Sequence, residues 1–163
     1  MLIIGIVGWK NSGKTRLMQE MIKYLSSKNF VVATIKHAHH NFDIDHKGTD
    51  SFLYRESGAQ EIVISSSRRW AKIEERNKSD EMNLTNLIKE IKKADIVLVE
   101  GFKNENHKKI EVIRTVDTNH DFLYKSLTNV VAIVCNEKLD SKLSVFKDDD
   151  FKAIGNYIIS LKN

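Results

Sequence analysis

The apolar run Leu2-Ile3-Ile4-Gly5-Ile6-Val7 leads directly into Gly8-Trp9-Lys10-Asn11-Ser12-Gly13-Lys14-Thr15, and this junction limits the fold more than any other part of the chain. The octet fits G-x-x-x-x-G-K-[ST] in the setting that pattern requires, a strand in front and a helix behind. Glycines at 8 and 13 permit the backbone angles of a loop closed around an anion, and they let amide N–H groups approach phosphate oxygens directly. Lys14 brings a point charge to the β and γ phosphates. Thr15 offers its hydroxyl to Mg²⁺, and the positive end of the helix dipole faces the same phosphates. Gly8, Asn11, Ser12, Gly13, Lys14, Thr15 and Arg16 are therefore the expected nucleotide-binding residues, with Lys14 as a catalytic candidate.

A length of 163 residues without a composition break suits a single nucleotide-binding domain over 1–163. The uncharged stretch 1–9 is too short for a membrane span and lacks the basic region of a secretory signal. Cys135 is the only cysteine, so no intramolecular disulfide can form. A cytoplasmic protein with no membrane partner is expected. Net charge is +4, but 26 basic residues are interspersed with 22 acidic ones. With no basic stripe interleaved with aromatics, nucleic acid is not expected as a partner.

Strands and helices alternate along the chain. Residues 2–7 read as a strand buried on both faces, and 14–27 as a helix with Leu17, Met18, Met21, Ile22 and Leu25 on one stripe. A strand over 30–35 precedes a polar segment at 36–48. Thr49 or Asp50 caps a short helix ending near Gly58. Residues 61–65 form a strand, and 70–75 alternate as an exposed antiparallel strand does. A helix over 84–91 hands over to a buried strand ending in Glu100 and Gly101. Residues 110–116 alternate, 130–134 form another buried strand, and an amphipathic helix spans 150–161. The pattern predicts an α/β fold, a P-loop NTPase-type three-layer arrangement with a mainly parallel sheet and an antiparallel β excursion. Ligands of such sheets bind at the carboxyl ends of the strands.

Three further groups fall at those ends. Glu100 closes a strand where a carboxylate can hold Mg²⁺ opposite Thr15, since a hard cation takes oxygen ligands. Lys36, His37, His39 and His40, with Asp45 and Asp50, follow the second strand. Three readings stay open for them: contact with an anionic substrate, a transition-metal site, or a solvated polar loop. Asn136 and Asp140 follow a buried strand and are placed to read guanine, Asn136 facing ring acceptors and Asp140 the ring donors. Their spacing departs from the N-K-x-D pattern, and a surface turn is the competing reading.

Taken together, Gly8 to Thr15, Thr34-Ile35-Lys36-His37-Ala38-His39-His40, Asp45-x-x-Gly48-x-Asp50-Ser51, Ser57-Gly58-Ala59 and Val99-Glu100-Gly101-Phe102-Lys103 resemble the molybdopterin-guanine dinucleotide biosynthesis protein B (MobB) family. The resemblance implies a GTP-binding protein with weak, Mg²⁺-dependent GTPase activity in molybdenum cofactor synthesis. It also implies partnership with the guanylyltransferase that attaches GMP to molybdopterin, with molybdopterin itself as a further ligand. A homodimer joined through the antiparallel excursion is implied as well. On this carry-over Lys14, Thr15 and Glu100 handle phosphate and Mg²⁺, while Lys36 to His40 and Asp45 to Asp50 line the adjoining cleft. A P-loop small-molecule kinase and a metallochaperone GTPase are the alternatives.

Overall fold

The structure is a computed structural model and describes residues 1–38, 42–76, 81–115 and 121–162. His39 and His40 of the predicted cleft, and the end of the predicted 110–116 stretch, lie outside the described residues. The chain forms two compact units, Met1–His37 with Asn83–Asn163, and Ala38–Met82.

In the first unit, β1 (Leu2–Val7), β2 (Val32–Lys36), β5 (Ile96–Glu100), β6 (Lys108–Ile113), β7 (Val130–Cys135) and β8 (Ser144–Phe146) form a six-stranded sheet in the order β2-β5-β1-β6-β7-β8. Every adjacent pair is parallel. Alternate side chains of these strands enter opposite faces. Ile4, Ile6, Ile96, Leu98, Ile110, Val112, Ala132 and Val134 pack against α1 (Lys14–Ser27) and α4 (Phe151–Ser160). On the other face, Ile35, Val97 and Val99 meet Leu84, Leu87 and Ile88 of α3 (Leu84–Glu90). Ile113, Ile133 and Cys135 there are covered by Phe122, Tyr124, Leu139 and Leu143.

Residue choice explains the local geometry. Leu17, Met18, Met21 and Leu25 of α1 are buried as their spacing predicts, with Ile22 partly buried. Helices α1 and α4 approach closely because Gly155 leaves room for the Tyr24 ring, whose hydroxyl donates to Asn156 Oδ1 at 2.8 Å. Asp150 caps α4, its carboxylate accepting from Ala153 N at 3.0 Å.

The alternating stretch predicted over 110–116 overlaps a buried strand of the parallel sheet. This is β6, which pairs in parallel with β1 and β7 and is buried from Lys109 onward. Among the polar residues of the stretch, Arg114 and Thr115 past the end of the strand are exposed, while Glu111 is inside, 1% exposed, as is the preceding Lys109 at 0%. Glu111 is stabilised there by accepting from Leu123 N at 2.8 Å and Tyr124 N at 2.7 Å, which caps the 3₁₀ turn Leu123–Lys125.

Because β1 lies between β5 and β6, the connection 101–107 must cross it. The crossing passes over Gly5, where a Cβ would collide with the His107 ring. A glycine in a central strand is thereby explained by a close approach of another segment.

The second unit contains α2 (Asp50–Glu56) and the antiparallel pair β3 (Glu61–Ser65) and β4 (Trp70–Glu74). Thr49 occupies the N-cap position of α2 but its hydroxyl donates to His46 O at 2.8 Å instead of capping the helix, and Gly58, with φ 100°, follows the end of α2 as the sequence predicts. Arg55 ties this unit together, meeting Asp45 at 3.1 Å, Asp43 at 3.0 Å and Glu75 at 3.6 Å.

Candidate functional site

The loop from Gly8 to Gly13 leaves the carboxyl end of β1 and closes onto the start of α1. Gly8 has φ 151°, Asn11 62° and Gly13 102°. A side chain at Gly8 would meet the Val112 carbonyl and Ser12 Oγ, so the loop folds tightly over the end of β6. Gly13 is the N-cap residue of α1 in the left-handed region, so the first-turn amides of α1 begin immediately behind the loop. Those N–H groups have no intrahelical acceptors and carry the positive end of the helix dipole.

Lys14 Nζ arches over this loop, donating to Gly8 O at 3.0 Å and Trp9 O at 2.7 Å. Burial pushes its ammonium below the ordinary lysine range, and the negative charge of Glu100 opposes that shift. The two ends of adjacent parallel strands thus bring a cation and a carboxylate into electrostatic contact. Glu100 sits beside Ile6 of β1 on one side and Lys36 of β2 on the other. Thr15 is exposed on the first turn of α1. Ser12 is buried, and its Oγ has no hydrogen-bond partner among the described residues.

Other predicted residues have neighbours that narrow their roles. Arg16 approaches Asp148 at 3.6 Å and lies 5.3 Å above the Phe151 ring, bracing α1 against the start of α4. His37 N donates to Glu100 O at 2.9 Å, and its ring stacks on Phe102 at 4.7 Å. It therefore shapes the Glu100 corner. Lys36 is exposed at the end of β2. Asp45, with only 4% of its side chain exposed, is engaged by Arg55, while Asp50 is exposed in the first turn of α2. Asn136 Oδ1 accepts from Asp148 N at 2.9 Å, which leaves its amide hydrogens as donors, and Asp140 is exposed.

Beside the loop is a cleft of about 240 Å³ whose walls include Trp9, Lys10, Glu111, Arg114, Asp121 and Phe122. Its walls are cross-braced: Trp9 Nε1 donates to Asp121 O at 3.1 Å and Arg114 Nη1 to Asn11 O at 3.4 Å. Trp9 and Lys10 lie within the Gly8 to Thr15 motif, whereas Glu111, Arg114, Asp121 and Phe122 do not follow from it. The available signal was Glu111, an acid within an otherwise apolar run.

A parallel sheet with helices on both faces, a glycine-bounded loop between β1 and α1, and an acid ending the neighbouring strand define a P-loop NTPase-type α/β protein. Residues 3–136 match the sequence profile of the family described as MobB, molybdopterin guanine dinucleotide synthesis protein B. The chain belongs to that family. It is 28% identical over 159 residues to the molybdopterin-guanine dinucleotide biosynthesis adapter protein of Escherichia coli, spanning 96% of this chain and 91% of that protein. With the adapter protein of Haemophilus influenzae it shares 37% identity over 110 residues, 66% of this chain and 61% of that one. A crystal structure of molybdopterin-guanine biosynthesis protein B matches at TM-score 0.79 and 27% identity, covering 99% of both chains.

Proposed function

We propose that the chain is a Mg²⁺-dependent GTP-binding adapter in molybdopterin guanine dinucleotide synthesis, with weak GTPase activity, acting beside the guanylyltransferase that joins GMP to molybdopterin. The observation that carries this reading is the pairing of the Gly8 to Thr15 loop with Glu100 at the end of the neighbouring strand, in a chain of this family.

The residues fit the groups proposed. The glycine at 8 occupies a position that no side chain can share with Val112 O and Ser12 Oγ, as a tight anion cradle requires. Lys14 would exchange its two carbonyl acceptors for phosphate oxygens, a stronger charge-assisted contact. Thr15 and Glu100 supply hard oxygen donors for Mg²⁺, which when bound would neutralise phosphate charge. Asn136, through its amide hydrogens, and Asp140, through its carboxylate, would read the acceptor and donor edges of guanine. Lys36 and His37, at and just past the end of β2, remain proposed contacts for an anionic substrate such as molybdopterin.

A second copy of the chain is proposed to cover the antiparallel excursion. Val63, Ile64 and Trp70 of β3 and β4 are exposed at 66%, 44% and 61%. An isolated two-stranded ribbon is marginal in water, and apolar cover would stabilise it.

The adapter reading is tested by reconstituting GMP transfer to molybdopterin with a purified guanylyltransferase. Adding this chain should raise the yield of dinucleotide cofactor, and Lys14→Ala should remove the gain. Equal yield with and without the chain rejects the reading.

A further inference from the structure

We propose that Lys109 is a positioning residue that clamps the crossover 101–107, which leaves β5 directly after Glu100, and so sets the Glu100 carboxylate for Mg²⁺. This inference rests on the functional reading above and adds a residue to it.

The crossover 101–107 is held at both ends. At its start, His37 N donates to Glu100 O at 2.9 Å and the His37 ring stacks on Phe102. At its finish stands Lys109, fully buried on β6. Its ammonium donates to Glu105 O at 2.6 Å, His107 O at 2.9 Å and, from the turn before β7, Thr128 O at 3.1 Å. An ammonium has three N–H donors, and here each has a carbonyl. The crossover is thereby tied to the sheet through a side chain rather than through a helix.

The segment next to Glu100 needs such a tie. Gly101 has φ 93° and Phe102 φ 48°. An aromatic residue in the left-handed region is an outlier that persists only where its surroundings enforce it. The crossover also presses directly on β1, with the His107 ring filling the space above Gly5 and the Lys109 stem beside it. A lysine is a costly way to fill a core position, since a methionine of similar length carries no charge to desolvate. What the ammonium supplies and a methionine cannot is a grip on three carbonyls of two separate loops.

The test uses the full chain and measures GTP affinity by calorimetry in Mg²⁺ and in EDTA, for the wild type, Glu100→Gln and Lys109→Met. Lys109→Met should keep the EDTA affinity within about twofold, because the Gly8 to Thr15 loop is untouched. It should lose roughly tenfold in Mg²⁺, matching Glu100→Gln, as expected for one charge-assisted contact. A wild-type gain from Mg²⁺ retained by Lys109→Met overturns the inference alone. Where Lys109→Met does not fold, Lys109→Gln, which keeps two N–H donors, takes its place, and an undiminished Mg²⁺ gain overturns the inference equally. Failure of both variants to fold assigns Lys109 to the fold as a whole and also overturns it. If the wild type binds no GTP, or gains nothing from Mg²⁺, the functional reading falls and takes this inference with it.

Discussion

The two compact units of this chain solve the burial problem in opposite ways. In Met1–His37 with Asn83–Asn163, strands such as Ile96–Glu100 are inaccessible on both faces, with Ile96, Val97, Leu98 and Val99 all at 0% exposure. In Ala38–Met82, Ile62 is the one buried hydrophobic among the described residues, while Phe42, Ile44, Leu53, Tyr54, Val63, Ile64 and Trp70 are all exposed. Helix α2 has no buried residue and is organised instead by the Arg55 ion pairs. The lesson is a division of labour. One unit owns a core behind the Gly8 to Gly13 loop, and the other leaves most of its large apolar side chains at the surface.

The contrast can be broken at its strongest point first. Leu98→Ala removes a fully buried side chain between β1 and β2, and should cost about 2–5 kcal/mol in denaturant unfolding. A loss below about 1 kcal/mol would mean that the sheet core is looser than described.

A second, intermediate effect comes from His107. Burial, reinforced by the Lys109 charge, holds its imidazole down at about 4, against 6.5 in the free side chain. The unfolded chain therefore binds the proton that the folded chain refuses. The stability conferred by the neutral ring is complete above about 6.5 and is lost as pH falls towards 4, at up to about 1.4 kcal/mol per unit. His107→Gln should flatten the slope of stability against pH in that window; an unchanged slope assigns it to other groups.

The smallest expected effect is at the other unit. Val63→Ser on β3 should change unfolding of the dilute monomer by less than about 0.5 kcal/mol, because the side chain is 66% exposed. The same substitution should weaken self-association in sedimentation. Unaltered association would remove β3 from the proposed dimer contact.

The legible parts of the fold were those where one physical signal dominated. The apolar runs of β1, β5 and β7 could only be buried parallel strands, and the stripe of α1 fixed its inward face. The positions of the loop behind β1 and of Glu100 at the end of β5 were legible because glycines and an acid punctuate apolar runs there. The alternation over 110–116 left the setting of β6 open, because a period of two does not say that Glu111, like Lys109 just before it, is buried with backbone partners that are remote in sequence or loop-borne. The three-residue β8 carries no periodicity to read. The engagement of Asp45 by Arg55 was equally hidden, since nothing in the spacing of the two residues specifies an ion pair.

The most direct test of the central claim is calorimetric titration of the purified chain with GTP and with ATP in Mg²⁺, with Lys14→Ala alongside. GTP binding should exceed ATP binding and fall at least about tenfold in Lys14→Ala, the loss expected when charge-assisted phosphate contacts are removed. Equal or tighter ATP binding would contradict the guanine assignment of Asn136 and Asp140, and GTP binding indifferent to Lys14→Ala would contradict the phosphate-binding role of the loop itself.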